Sequence, residues 1–421
     1  MSVKLISTIT AQVGNLANGL IQLPIAISFL TDIELKYWFA FLALGGIGQV
    51  LEFGMLSTFT RYFSYNSQRD NYNLLENIAD DATNKILGVA KYSYYIIASF
   101  ALLAVTVSGY FYLHIYLGSK IEIFYSWLIY GLGICLNLYS NRFISLINGI
   151  NKNELSNYII IIAKSTSILF SWLLVPEYKL MGFSLSSILS ATVMMSLAYF
   201  MHGKFTGWRE IKARKDKEIF SKAREMGVTQ IAAFILQKGV VLMAIAHYES
   251  ELAVSFSLTL NVFMVMSTIG TAYQTAKMPS INKLMNHEKY QLVRIEINKS
   301  YLFAVMFYLV SCCIIINFGD AIFSLIDKEN KLMTGGTLYL IFGMVFLEML
   351  HSIAAGFIAA SNRFPFYKAG VVTAIVVLTG GAYISQKYEM WVFIAFVAVA
   401  QLSYNNWKWP YYLWKEYDWK N

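Results

Sequence analysis

The sequence predicts an all-α polytopic membrane protein with about twelve membrane-spanning helices and both termini on one side. Three observations carry this prediction. Of the 421 residues, 57% are hydrophobic and only 14% charged, where a soluble domain carries about a quarter. Apolar runs long enough to cross a bilayer, which takes about 20 residues, recur along the whole chain. Between them, Lys and Arg fall almost entirely into alternate loops, the distribution that orients membrane proteins.

The first run, 5–30, follows Lys4 and contains Gln12, Asn15 and Asn18. It is too long for a signal-peptide core and has no small-residue cleavage site, so it is expected to remain as the first span. The second, 37–63, carries Glu52 and Arg61. The third, 92–114, has no Lys, Arg, Asp or Glu. The fourth, 124–147, is interrupted only by Arg142. The fifth, 158–175, holds Lys164 and ends at Pro176, where a turn leads into the sixth, 180–201. Span seven is 227–247, with Lys238 inside it, and span eight is 252–276. Span nine is 299–318, span ten 333–360 with Glu348 and His351, span eleven 368–386 and span twelve 389–405. Residues 1–201 and 227–405 then form two six-helix lobes. They are joined by a basic linker, 202–226, and followed by an aromatic tail, 406–421. The linker's KARKDKEIFSKARE stretch has the composition of an amphipathic helix on an anionic leaflet. The tail's WKWPYYLWKEY suits an interfacial anchor. Few prolines break the spans (Pro24 in the first, Pro176 at a turn, Pro279 after the eighth), so no broken-helix ion site is expected.

With the N-terminus inside, 25 of the 33 basic residues lie in inside loops or at inner span ends. Six lie outside, and Lys164 and Lys238 fall within spans. This predicts both termini in the cytoplasm. It also disposes of nucleic acid as the reason for the net charge of +8, because the basic residues are scattered over short loops. Six spans on each side of the linker point to an internal duplication. AQVGN at 11–15 pairs with TQIAA at 229–233, and LSTFTRYFSY at 56–65 with MSTIGTAYQT at 266–275.

Cys135, Cys312 and Cys313 sit in apolar runs without CxxC spacing, so neither a disulfide nor a metal site is expected. Five scattered histidines form no HExxH, and there is no P-loop or GxSxG. No enzyme chemistry and no cofactor are predicted.

The polar residues inside the spans carry the functional information, because a charge at mid-bilayer costs about 2.5–3.5 kcal/mol. Glu52, Lys238 and Glu348 fall near the middle of their spans, and Lys164 about one and a half turns from the inner end. Arg61 and Arg142 lie nearer the inner face, where long side chains snorkel. His351 follows Glu348 by three residues, on one helix face. Glu52 and Glu348 are natural ion-pair partners for the two deep lysines. Asn18, Gln237 and other amides serve equally as glue between helices. Together these side chains describe a basic, wet cavity with two carboxylates. It suits an anionic or polar cargo, with Glu52, Glu348 and His351 as carriers of a coupling ion.

Twelve spans, a six-plus-six layout and a short basic central loop resemble the polysaccharide transporters of the MATE-like (multidrug/oligosaccharidyl-lipid/polysaccharide) exporter superfamily. LEFGMLSTFTRYFSY, 51–65, resembles the second-span pattern of O-antigen repeat-unit flippases, and LINGINKNELSNY, 146–158, their fourth-to-fifth span connection. The resemblance implies two six-helix lobes around a cationic central cavity. It implies a flippase of the bacterial inner membrane that moves undecaprenyl-diphosphate-linked oligosaccharide by alternating access, driven by an ion gradient or membrane potential. Glu52 and Arg61 match the pattern's acidic and basic positions. Arg142, Lys164, Lys238, Asn18 and Gln237 join the substrate site by location alone. The implied partners are the lipid-linked glycan, membrane lipid and other polysaccharide assembly proteins. Competing expectations are a MATE-type small-molecule antiporter, a polytopic O-antigen polymerase or ligase, and a scaffold for glycosyltransferases. A polymerase or ligase usually has a large outer loop, and no outer loop here is long.

Overall fold

The computed structural model describes residues 21–67, 81–150, 152–206, 208, 211–216, 227–324, 331–360 and 365–418. Every described element is helical. In chain order they are α1 (21–29), α2 (Asp32–Gly45), α3 (Ile47–Glu52), α4 (Met55–Ser67), α5 (Asp81–Ser108), α6 (Ile121–Gly149), α7 (Asn153–Thr206), α8 (227–234), α9 (Val240–His247), α10 (Ser250–Gly270), α11 (Ala272–Asn286), α12 (Tyr290–Ser324), α13 (Gly335–Ala360), α14 (Tyr367–Lys387), α15 (Met390–Leu402) and α16 (Asn405–Asp418). Wider π-helical turns extend α5 through Gly109–Tyr116 and join α8 to α9 through Ile235–Gly239.

Among the described residues, nine helices are long and apolar enough to cross a bilayer. One of them, α7, contains two crossings. Lys179 (φ 50°, ψ −125°) reverses the chain three residues after Pro176. The helices are apolar on their outer faces too. Phe100, Leu103, Phe111, Leu302, Met306, Phe318 and Val399 are all exposed. Such a surface is stable in lipid and would aggregate in water.

The chain forms two compact units. The first comprises Met1–Leu30 and Phe41–Ile231, the second Thr31–Ala40 and Ala232–Asn421. The core of the first packs Phe59, Phe63, Tyr94, Leu138 and Leu146 from α4, α5 and α6, with Phe143, Ile147, Ile159 and Ala198 beside them. In the second, Phe256, Phe263, Tyr308, Phe357 and Phe393 are fully buried, and the Tyr308 hydroxyl donates to the Phe342 carbonyl at 3.0 Å. The second span starts at a capping box. The Thr31 amide and hydroxyl donate to Glu34, whose amide donates back to the Thr31 hydroxyl at 3.3 Å.

Several expectations need correction. The third helix starts at Asp81, eleven residues before its apolar run, because Ile86, Leu87 and Val89 are buried against α4 and α6 even though Lys85 and Lys91 flank them. The second and eighth spans are each broken without proline. α3 ends at Phe53 (φ 51°) and Gly54 (φ 68°), and α10 gives way to α11 at Thr271. Gly54 tolerates the left-handed backbone that stops the helix, and the Ser57 and Thr58 hydroxyls bond back to its carbonyl. These breaks also reset the repeat. α10 starts 218 residues after α2, and Thr271 follows Phe53 by the same offset. The AQVGN–TQIAA pair has that offset, whereas the LSTFT–MSTIG pair is out of register. Finally, residues 211–216 of the linker, which include the start of the expected amphipathic helix, are not helical. They lie along α5, with the Arg214 amide on the Gly88 carbonyl at 3.0 Å and Lys85 paired with Asp216 at 3.1 Å. One backbone hydrogen bond and a salt bridge hold this strip against α5. The remainder of that helix, 217–226, lies outside the described residues. Most of the tail, through Asp418, folds into α16, which buries Trp409 and Leu413 and packs on α13.

Candidate functional site

The break in the second span sets the first polar cluster. Glu52 is the last residue of α3, so the chain turns away immediately after it. Its Oε1 accepts from the Tyr94 hydroxyl at 3.0 Å and from the Asn141 amide at 2.8 Å. A half-buried carboxylate thus sits between two neutral donors of α5 and α6, an arrangement that holds either a proton or a small cation's counter-charge. Sequence reasoning found Glu52 and missed both partners. The signal in reach was Gly54, two residues on.

The second cluster belongs to Lys164. α7 begins at Asn153, so Lys164 is eleven residues into the helix, about 16 Å along its axis, five residues further in than the apolar run alone places it. At that depth the ammonium cannot snorkel to either face. Ser167 and Ser171 follow at the helical spacings three and seven. They accept from the Gln22 amide at 2.9 and 3.3 Å, and Ser171 meets Ser186 at 2.8 Å. Ser190 donates to the carbonyl of Ala163, beside Lys164, at 2.7 Å. A ladder of hydroxyls therefore runs through the first unit next to a mid-span cation.

The second unit has a matching pair of features. Gln237, Ser267, Thr268, Glu348, Ser352 and Gln401 line a pocket of about 170 Å³ between α10, α13, α15 and the π turn. Its single carboxylate, with hydroxyl and amide oxygens around it, presents the hard oxygen donors that protons and alkali or alkaline-earth cations prefer. Lys238 follows Gln237 in that π turn, at the middle of the seventh span. π turns are uncommon and concentrate at functional sites.

The expected ion pairs are absent among the described residues. Glu52 is held by Tyr94 and Asn141, and the ion pairs found there join Lys85 to Asp216, Lys299 to Glu296 and Lys331 to Asp32. His351 does not line Glu348's pocket, but it lies near enough to act on that carboxylate electrostatically; its Nδ1 lies 3.0 Å from the Asn405 carbonyl, at the start of α16. Arg61 is exposed on α4. Arg142 sits on α6, its guanidinium 4.3 and 4.2 Å from the Tyr139 and Phe143 ring centres. Asn18, like Gln12 and Asn15, lies outside the described residues. No cluster of three or more His, Cys, Asp or Glu with metal-ligand geometry occurs among the described residues.

No protein-family model and no curated protein sequence matches the chain. Solved structures do. The chain is similar to a multidrug resistance MATE family transporter of the MOP superfamily in an inward-facing conformation, with TM-score 0.67 and 12% identity over 99% of this chain and 98% of that one. It is similar to the MATE multidrug transporter DinF-BH, with TM-score 0.66 and 14% identity over 99% and 96%. It is also similar to a MOP superfamily transporter from Pyrococcus furiosus, with TM-score 0.62 and 11% identity over 99% and 95%. The reverse polarity of that protein's binding pocket is reported to suggest a different function. At such identities the likeness establishes the fold: this is an all-α multi-pass membrane protein with the architecture of MATE transporters.

Proposed function

We propose that this protein of MATE transporter fold is a flippase of the bacterial inner membrane, carrying undecaprenyl-diphosphate-linked oligosaccharide, an O-antigen-type repeat unit, from the cytoplasmic to the outer leaflet. One observation carries the reading. Lys164 and Lys238 stand at mid-span, one in each unit, and among the described residues neither has a carboxylate partner. Keeping an unneutralised charge in a bilayer costs several kcal/mol, and a diphosphate cargo returns that cost on binding. A cationic drug would meet repulsion instead. The Pyrococcus transporter, with its reversed pocket polarity, supports the view that this fold accommodates cargo of either sign.

The hydroxyl ladder of Gln22, Ser167, Ser171 and Ser186 offers hydrogen bonds to sugar, which lipid does not. Alternating access moves the head group while the prenyl chain stays in lipid. An inside-negative potential assists outward movement of an anion by about 2.3 kcal/mol per charge per 100 mV. Glu52 and Glu348 serve as exchange sites for a coupling proton or sodium ion. The same two carboxylates favour the second reading, a cation-coupled antiporter of small molecules; two of the similar structures are multidrug transporters.

Deletion in the native host separates the two. The flippase reading expects complete lipid-linked units to accumulate at the inner face, surface polymer to be lost, and Lys238→Ala to fail in complementation at normal protein level. Unchanged lipid-linked pools with altered drug sensitivity would establish the antiporter. Complete units that reach the outer face without polymerisation would mark a later step.

A further inference from the structure

A second cavity in the first unit belongs to neither carboxylate nor deep lysine. It measures about 320 Å³ and lies where α5, α6 and the end of α7 meet the linker. Its polar lining consists of Lys91, Arg142, Tyr199, His202, Thr206 and Trp208, and among the described residues no acidic side chain lines it. The Arg142 guanidinium rests on the Tyr139 and Phe143 rings, and its buried Nε has no hydrogen-bond partner. Buried arginine donors are almost always satisfied. Lys91 spends one of its three N–H groups on the Ile211 carbonyl at 2.9 Å, leaving two for a ligand. His202 is buried edge-on to Phe143, with ring centres 4.9 Å apart.

The linker forms the roof. Trp208 takes a left-handed backbone (φ 58°) and stands edge-on to Tyr199 at 5.4 Å. It fits because residue 203 is glycine: a Cβ there would lie 2.6 Å from the indole. Ile211 closes the same cavity through its contact with Lys91. Arg142 and Lys91 therefore face a space whose far wall is the start of the segment joining the two units. Tyr199, Phe200, Trp208 and Lys204 are exposed at the rim, the residue mix of a headgroup zone.

We propose that this cavity is a phosphate-ester site in which Arg142 and Lys91 clamp one phosphate group beneath Trp208, so that an occupied site fixes the linker on α5. Planar guanidinium and mobile ammonium together match a phosphate's oxygens, and the volume admits a phosphate with the first atoms of its ester group. Two sources supply that chemistry, the headgroup of an anionic phospholipid and a soluble phosphate ester. The proposal is independent of the cargo, because it is tested by binding alone.

The test uses the purified full-length protein in neutral detergent, titrated separately with phosphatidylglycerol, phosphatidylcholine and inorganic phosphate. Bound lipid is counted by native mass spectrometry, and linker order is followed by trypsin cleavage at Lys212 and Arg214. The lipid form expects a preference of about tenfold for phosphatidylglycerol over phosphatidylcholine. It expects slower linker cleavage on binding, and loss of both effects in Arg142→Gln and in Lys91→Met. Protection by inorganic phosphate without lipid preference, lost in the same variants, supports the soluble form. Lys120→Gln, in a different loop, controls for loss of a positive charge. Should Arg142→Gln fail to fold, Lys91→Met and Arg142→Lys carry the test. Equal binding and equal cleavage in wild type and in every folded variant would overturn the proposal.

Discussion

Lys164 and Lys238 illustrate how position alone gives a side chain meaning in a membrane. Each sits at the middle of a span, half-buried, among helices whose other faces are apolar. In water such a lysine would cost nothing. In a bilayer it costs about 2.5–3.5 kcal/mol before compensation, and no carboxylate among the described residues compensates it. Replacing either by methionine removes the charge and keeps the stem. We expect Lys164→Met and Lys238→Met each to stabilise the protein by about 2 kcal/mol, read as a rise of a few degrees in unfolding midpoint, while transport falls about tenfold or more. A drop in midpoint would show instead that the ammonium holds the fold together. Glu52 makes the opposite case. Tyr94 and Asn141 satisfy it, so its polar group, unlike the lysine ammonium groups, is already accommodated by its surroundings.

At the scale of the helix, the break at Phe53–Gly54 decides where Glu52 points. A continuous helix through 47–67 would carry the carboxylate onward along one face. The left-handed pair at 53 and 54 stops α3 immediately after it. An alanine at position 54 meets the steric cost of positive φ, about 1–2 kcal/mol. We expect Gly54→Ala to lower the unfolding midpoint and to reduce transport as Glu52 loses its two donors. Full activity with unchanged stability would mean the break is incidental. The helices themselves were legible in the sequence, since hydropathy locates a span wherever lipid, and not a partner helix, is the solvent. The breaks were not, because the expectation relied on proline, and here a glycine beside a phenylalanine and a lone threonine end the helices. The partners of Glu52 were equally hidden. Tyr94 and Asn141 lie 42 and 89 residues away, and only packing brings them together. α7 starts five residues before its apolar run, at a polar stretch that is nonetheless helical, so hydropathy alone does not show how far along its helix Lys164 lies. His351 shares helical spacing with Glu348 and acts on it electrostatically, while its Nδ1 also meets the Asn405 carbonyl of α16, a contact no periodicity reveals.

For the whole molecule, the distribution of charge is the coarsest signal. Twenty-five of 33 basic residues on one side against six on the other is an asymmetry that a wrong number of spans would scramble. Each helix from α4 to the end of α7 reverses the chain, and so fixes the side of every loop once one loop is placed. The proposed orientation puts Lys85, Lys152 and Lys204 in the cytoplasm and Lys120, Lys179 and Lys387 outside. It is checked by replacing Cys135, Cys312 and Cys313 with serine or alanine and introducing single cysteines at these six positions. In intact cells, a membrane-impermeant maleimide should label the cysteines at 120, 179 and 387, and label those at 85, 152 and 204 only after the membrane is opened. The reverse pattern would invert the proposed topology. The deep lysines would then face a cargo entering from the other leaflet, and the potential that assists an anion's exit would oppose it. A mixed pattern would mean a miscounted span, and the position at which the labelling changes sides would identify it.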